Sequence, residues 1–380
     1  MRIGLLMRRF DRHGGGTERD AIITAECLRE AGHQVTFYAQ EVRGQSRDFV
    51  VHRVAGMPIG RTAGLLSFAY RAPAAARRAG ADLVLSFART IGSDVMRSGG
   101  SAHISYLRAA RQWRGALEWQ AMRASPYHRA QIFIERHGFR AARLRKAIAV
   151  SNLVRGDLIR EFDLPVEKVV TLYNGVDLER FEPPRDDSER HELRSSLAIA
   201  HEAPIVAFVG NGFGRKGLRF LIAAWPKVAR EAHLLVVGSD QKRRAYEREA
   251  RRLGLEARVH FAGAMPEVTR IFHAVDALAL PSLFEPFGNV ILEAMASGVP
   301  VLSSAQSGAA EVLPESMQRF VVRDPTRANE IADKLSALLE AGTGLRALVR
   351  SAAERFTWRA YGEKLNVTIS AEVAERAGRS

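Results

Sequence analysis

The chain has 380 residues, 47% hydrophobic and 26% charged, with a formal net charge of +14, a balance that excludes general disorder and leaves length for two cored domains. Its one cysteine, Cys27, excludes an internal disulfide and a multi-cysteine metal site, which fits a reducing compartment. Only Ile3 to Met7 forms a short apolar run at the N-terminus, followed by Arg8, Arg9, Asp11 and Arg12, so no secretory segment is expected, and no stretch reaches the roughly 18 apolar residues of a membrane span.

Arg2 to Met7 reads as a first buried strand. A turn from Asp11 to Gly16 follows, then a helix with Ala21, Ile22, Ala25, Leu28 and Ala31 on its apolar side, ending at Gly32. Gln34 to Ala39 begins the next strand. This strand, glycine loop, helix and strand make the opening of a doubly wound parallel sheet. Gly15 and Gly16 allow a ligand to approach the helix N-terminus closely. The loop is not a dinucleotide fingerprint, because Arg19 stands where the third glycine belongs, and it is not a P-loop.

Ala81 to Phe87 reads as a later strand, after which Ser98-Gly-Gly-Ser-Ala-His103 forms a glycine-rich loop with His103 as a candidate site residue. From Ile104 to Lys146 ten basic residues face two acidic ones, interleaved with Tyr106, Trp113, Trp119, Tyr127, Phe133 and Phe139. The pattern suits an anionic membrane surface, where each cation contributes roughly 1 kcal/mol. Solvated helix faces and nucleic acid are the competing readings.

Lys146 to Val150 is expected as a strand, with Ser151 capping the next helix. Val169 to Tyr173 leads into the tight turn Asn174-Gly175-Val176-Asp177. Beyond the charged, proline-containing stretch Glu182 to Pro204, a second series of strands is expected near Ile205 to Val209, His233 to Val237, Val259 to Phe261, Ala277 to Leu280, Val299 to Ser303 and Phe320 to Val322. Helices Ala328 to Leu339 and Gly344 to Phe356 close that series. The expected domains are therefore 1–175, carrying the basic segment 104–146, and 176–357, with a helix in 358–380 free to cross back to the first.

Two segments of the second half carry chemistry. In Val209-Gly-Asn-Gly-Phe-Gly-Arg-Lys-Gly217, Arg215 and Lys216 are expected to enter a helix, two cations set against its dipole beside backbone donors. In Ser282 to Gly298, Glu285 stands on a loop at a strand's carboxyl end, and Glu293 about one turn into a helix that starts at Asn289. Two carboxylates so placed can hold two hydroxylated rings of one ligand, at the edge where open α/β sheets bind theirs.

The combination of Gly15-Gly16, Asn174-Gly-Val-Asp177, Gly214-Arg-Lys-Gly217 and Glu285-Pro-Phe-Gly-Asn-Val-Ile-Leu-Glu293 resembles glycosyltransferase family 4, and within it the enzymes of the bacterial lipopolysaccharide core. The resemblance implies an α/β GT-B fold, two Rossmann-like doubly wound parallel-sheet domains facing across a cleft, and retaining hexosyl transfer. It implies that Arg215 and Lys216 neutralise the donor diphosphate, that Glu285 bonds hydroxyls of the transferred sugar, and that Glu293 bonds the ribose. Phe287, Gly288, Asn289 and Val290 would line the sugar and phosphate, the first three through backbone N–H groups, while Gly15 and Gly16 let the first domain close over the diphosphate. His103 matches a region where relatives place a histidine or aspartate near the sugar. Gly99 and Gly100 stand where the core enzymes have an aspartate, leaving Asp20 and Asp94 as minor carboxylate candidates.

The implied donor is a nucleotide-sugar, expected to be UDP-linked and to carry glucose. The implied acceptor is the lipopolysaccharide core or a similar lipid-linked saccharide, reached from a cytoplasmic position peripheral to the inner face of the plasma membrane. No metal cofactor is expected, since no Asp-x-Asp occurs. A capsule precursor, glycolipid or small-molecule acceptor is the alternative. Nucleic-acid binding and a silent nucleotide-sugar sensor are less expected.

Overall fold

The computed structural model describes residues 1–12, 14–44, 46–265 and 267–377, the last five by their backbone alone. The chain divides into two compact units, one of Met1–Gly175 with the stretch from Trp358, the other of Val176–Thr357.

The first unit is built on a seven-stranded parallel sheet of β1 (Arg2–Asp11), β2 (Gln34–Arg43), β3 (Val50–Arg53), β4 (Leu83–Ser86), β5 (Val95–Ser98), β6 (Lys146–Ala149) and β7 (Val169–Thr171). Their order is β3-β2-β1-β4-β5-β6-β7. The helices are α1 (Gly16–Glu30), α2 (Gly60–Arg78), α3 (His103–Ala110), α4 (Ala116–Ala124), α5 (Pro126–Phe139) and α6 (Asn152–Phe162). A parallel sheet covered on both faces needs near-continuous apolar strands, and Ile3, Leu5, Leu6 and Met7 are accordingly all buried.

β1 and β2 run four residues past the expected Met7 and Ala39, paired in register as far as Asp11 and Arg43. Phe10 drives the extension: it is buried edge-on to Phe37, which meets Phe49 in the same way, at ring separations of 5.0 and 5.2 Å. Six elements of this unit escaped the sequence reading: β3, α2, β5 and the helices α3, α4 and α5 of the basic segment. β3 is a short, mostly exposed edge strand, α2 carries the buried Pro73 within it, and β5 has Arg97 inside a four-residue run. The last helix of the chain, Trp358–Ala377, sets Tyr361, Leu365 and Ile369 into the same core as Ile3, Leu28, Leu83 and Ile148.

A buried guanidinium ties this unit together. The Arg97 side chain is 1% exposed and donates to Asp20 Oδ2 at 3.1 Å and to Asn174 Oδ1 at 2.6 Å, while Asn174 Nδ2 donates to Asp20 Oδ2 at 3.1 Å. The guanidinium also lies over the rings of Phe87 and Tyr361. One side chain thus joins α1, the turn after β7 and the final helix.

The second unit carries a six-stranded parallel sheet in the order β10-β9-β8-β11-β12-β13, with β8 (Ile205–Val209), β9 (His233–Val237), β10 (Val259–Gly263), β11 (Ala277–Ala279), β12 (Val301–Ser304) and β13 (Val321–Val322). Around it lie α7 (Ser188–Ser196), α8 (Leu218–Ala224), α9 (Arg243–Arg252), α10 (Val268–Ala274), α11 (Asn289–Ala296), α12 (Ala328–Ala341) and α13 (Arg346–Ala353). In each sheet the strand order reverses at one place, between β1 and β4 and between β8 and β11. Such a reversal parts the loops at the carboxyl ends and opens a ligand crevice.

Candidate functional site

The two chemical segments of the second unit follow the two strands at its reversal point. After β8, the turn through Phe213 is held by Asp240, which accepts from the Phe213 N–H at 2.7 Å, and by the buried Phe213 ring against Phe208 and Tyr246. Gly217 then takes φ +81° directly against the Pro281 carbonyl; a Cβ there would stand 2.0 Å from that oxygen, so only glycine fits. The Leu283 N–H donates to the Arg215 carbonyl at 2.8 Å and joins the two turns.

That junction brings Lys216 and Arg215 onto Glu285. Lys216 Nζ lies 2.8 Å and Arg215 Nη1 2.9 Å from the same carboxylate oxygen, Oε2, and Arg215 donates as well to the Phe284 carbonyl at 2.8 Å. Glu285 and Lys216 are both buried. Burial acts to raise the Glu285 pKa, but the Lys216 ammonium and then the Arg215 guanidinium outweigh it and hold the carboxyl at about 2. Two cations share one carboxylate, which leaves a positive surplus at the carboxyl edge of the sheet.

The Glu285 loop is laced to the segment after β12. The Glu285 N–H donates to the Gln306 carbonyl at 2.9 Å and its carbonyl accepts from the Gly308 N–H at 2.9 Å. The Phe287 carbonyl accepts from the Ala309 N–H at 2.8 Å and from Ser307 Oγ at 3.0 Å. Gly288 takes φ +96° as the residue before α11. Asn289 and Val290 open that helix and Glu293 follows one turn on, all three half-buried. The helix start offers N–H donors and the positive end of its dipole beside the surplus cation, a setting for an anion carrying hydroxylated groups.

Two expectations need correction. Arg215 and Lys216 do not enter a helix: α8 begins at Leu218, and both residues lie in the turn before it. Their position is explained by Glu285, 69 residues on in sequence, rather than by a tolerated clash with a helix dipole. His103 is not in a loop following the strand that ends near Phe87. The unforeseen β5 intervenes, and His103 is the buried first residue of α3.

The His103 N–H donates to Glu135 Oε2 at 2.7 Å, and its Nε2 lies 2.8 Å from His128 Nδ1 in a stacked pair. Burial, then Arg89 and His128, push its pKa down to about 3, so the ring stays neutral at physiological pH and is a weak proton acceptor. Asp20 is bound to Arg97 and Asn174, and Asp94 accepts from the Val84 N–H at 2.8 Å and from Arg77 at 3.2 Å; both serve the fold. Gly15 and Gly16 stand exposed at the start of α1.

The sequence reading missed a cavity of about 410 Å³ in the first unit, lined by Arg8, Arg89, Arg97, Gln131 and Glu135 among others. Its signal was available: Arg8 and Arg9 follow the apolar run Ile3 to Met7 within β1, a strand that borders the reversal point. Among the described residues, no group of three or more His, Cys, Asp or Glu side chains is placed to hold a metal ion, and no helix is long and apolar enough to cross a membrane.

The depressed Glu285 pKa has a thermodynamic consequence. A carboxyl lowered from its ordinary 4.5 to about 2 on folding contributes stability that is complete above 4.5 and disappears as pH falls toward 2. Urea unfolding from pH 5 downward should therefore show a steeper loss of stability in that window for the wild type than for Glu285→Gln. Parallel profiles would contradict the pairing.

Comparison with known proteins agrees with this architecture. The family model described as Glycosyltransferase Family 4 matches residues 14–180, and the one described as Glycosyl transferases group 1 matches residues 203–341. A glycosyltransferase of Methanocaldococcus jannaschii is 29% identical over 220 residues, which span 57% of this chain and 56% of that relative, so this match reaches only about half of the relative's length. The lipopolysaccharide glucosyltransferase WaaG of Escherichia coli is 26% identical over 334 residues, 86% of each chain. A crystal structure of WaaG superimposes with a TM-score of 0.78 at 23% identity, covering 96% of this chain and 98% of that one. Anabaena HepE in complex with UDP-glucose gives a TM-score of 0.74 at 19% identity, covering 98% and 100%. With one model over each unit and two parallel-sheet α/β domains, the chain belongs to glycosyltransferase family 4 and has the GT-B fold.

Proposed function

We propose that this chain is a retaining hexosyltransferase that moves a hexose, with glucose expected, from a UDP-sugar to the lipopolysaccharide core or a similar lipid-linked saccharide. The observation that carries the reading is the convergence of Lys216 and Arg215 on Glu285 where the second sheet reverses. The two cations supply the charge that a departing nucleoside diphosphate needs, and preorganised charge of this kind is the largest lever available for such a leaving group. Glu285 keeps acceptor capacity for sugar hydroxyls, and Glu293 for the ribose. WaaG, whose name states its lipopolysaccharide substrate, matches over most of both chains, and HepE has been solved with UDP-glucose; both favour this donor and acceptor.

The test is transfer from UDP-glucose to a lipid-linked core saccharide, with the new anomeric proton read by NMR. The reading expects an α-linked product from the α-linked donor. A β-linked product, or donor consumption without transfer, would overturn it.

A peripheral position on the inner membrane face belongs to the same proposal. No residue of α4 is buried, and its Leu117 is 83% exposed. Arg111 and Arg123 lie over the Trp119 ring, at 5.7 and 4.7 Å, and Arg129 and Arg136 flank Ile132 and the exposed Phe133 on α5. Arg108 and Arg114 are already paired with Glu161 and Glu118. The quadruple change of Arg111, Arg123, Arg129 and Arg136 to Glu is therefore expected to abolish sedimentation with anionic vesicles, at roughly 1 kcal/mol for each cation removed. Unchanged sedimentation would exclude this surface.

A further inference from the structure

We infer that the first-unit cavity binds a saccharide bearing an acidic group, phosphate or carboxylate, and that Arg8 pairs with that group. The inference rests on the transferase reading and gives the acceptor a chemical class.

The cavity lies at the carboxyl ends of β1, β4 and β5, at the place where the order of the first sheet reverses. Its volume, about 410 Å³, has room for a phosphorylated or carboxylated monosaccharide unit. Four guanidiniums line it, those of Arg8, Arg9, Arg89 and Arg97, against two carboxylates, Glu18 and Glu135. Three of the four cations already have an acidic partner. Arg9 pairs with Glu41 at 3.5 Å, Arg89 with Glu135 at 2.6 Å, and Arg97 with Asp20 at 3.1 Å.

Arg8 differs. Among the described residues its guanidinium bonds reach only neutral groups, Gln40 Oε1 at 3.4 Å and Tyr127 Oη at 3.1 Å. Both hold the fork in place without spending its charge, and the 3.4 Å contact is long enough to yield to a stronger acceptor. A planar guanidinium so held is suited to two-point pairing with a carboxylate or phosphate. Gln131, Glu18 and Thr17 add polar atoms for sugar hydroxyls, and Met7, Leu65 and Phe87 supply apolar wall for a ring face.

The probes are glucose 6-phosphate, glucuronate and methyl glucoside, titrated against the full-length chain by calorimetry and saturation-transfer NMR, with UDP-glucose measured alongside. The wild type should bind at least one of the two acidic sugars about tenfold or more tightly than the neutral one, the scale of a charge-assisted pair, and the stronger arm names phosphate or carboxylate. Arg8→Gln should remove that preference with an unchanged melting curve, and Arg8→Lys should retain part of it. Equal binding of acidic and neutral sugars by the wild type would overturn the inference, as would an Arg8→Gln protein that loses UDP-glucose instead of the acidic sugar. Acidic-sugar preference without any nucleotide-sugar binding would support the cavity assignment and count against the transferase reading; the converse pattern separates the two in the other direction.

Discussion

Lys216→Met should lower transfer by two to three orders of magnitude while leaving the second unit folded. The side chain reaches across from the turn after β8 to Glu285 Oε2 at 2.8 Å, and with Arg215 it forms the positive surplus available to a leaving diphosphate. Removing one preorganised electrostatic contact of this kind typically costs about 10²–10³ in kcat. Folding is less exposed, because Arg215 remains 2.9 Å from the same carboxylate oxygen and the methionine can keep the apolar stem's packing against Gly210. The measurement is kcat beside a urea melt. A normal kcat would remove Lys216 from the chemistry, whereas a collapse of the melt would assign it to the fold instead.

The largest stability effect is expected at a residue outside the chemistry. Arg97→Met should destabilise the first unit by about 3–5 kcal/mol, the usual cost of stripping one partner from a buried ion pair. Asp20 would be left buried with its charge and without the guanidinium that it now shares with Asn174. The Phe87 and Tyr361 rings would lose the cation over their faces. Adding Asp20→Asn to Arg97→Met should restore part of the loss, since the buried carboxylate charge that faced the guanidinium is then gone. Chemical denaturation of the single and double variants reads both terms, and a single-variant loss below about 1 kcal/mol would show that the buried pair breaks even against apolar packing.

These two residues also mark what the sequence made legible. The α/β alternation, the parallel sheets and the chemical segments around residues 215 and 285 could be read locally, because each rests on short-range signals: apolar runs of strand length, glycines at strand-to-helix turns, and a helical pattern starting at Asn289. The ion pair between Lys216 and Glu285 could not, since nothing local reports a contact across 69 positions; without it, the sequence puts the two cations into a helix that in the structure begins only at Leu218. Arg97 was hidden for a related reason. A charge inside a four-residue run argues against a buried strand until Asp20 and Asn174, from two other elements, are seen to satisfy it. By local preference Pro73 argues against a helix at α2, yet the helix forms with Ala69, Ala72 and Ala76 buried. The extension of β1 depended on Phe37 and Phe49 in other strands. Tertiary partners overrode local preference in each case.

The central claim, that the reversal point of the second sheet holds a nucleotide-sugar, is tested most directly by calorimetric titration of UDP-, GDP- and ADP-glucose into the wild type, Glu293→Ala and Lys216→Met. The account predicts that UDP-glucose binds the wild type selectively and that both variants weaken this binding, Glu293→Ala by loss of the proposed ribose contact and Lys216→Met by loss of the proposed diphosphate contact. Absence of binding by every donor, or binding unchanged in both variants, would contradict it.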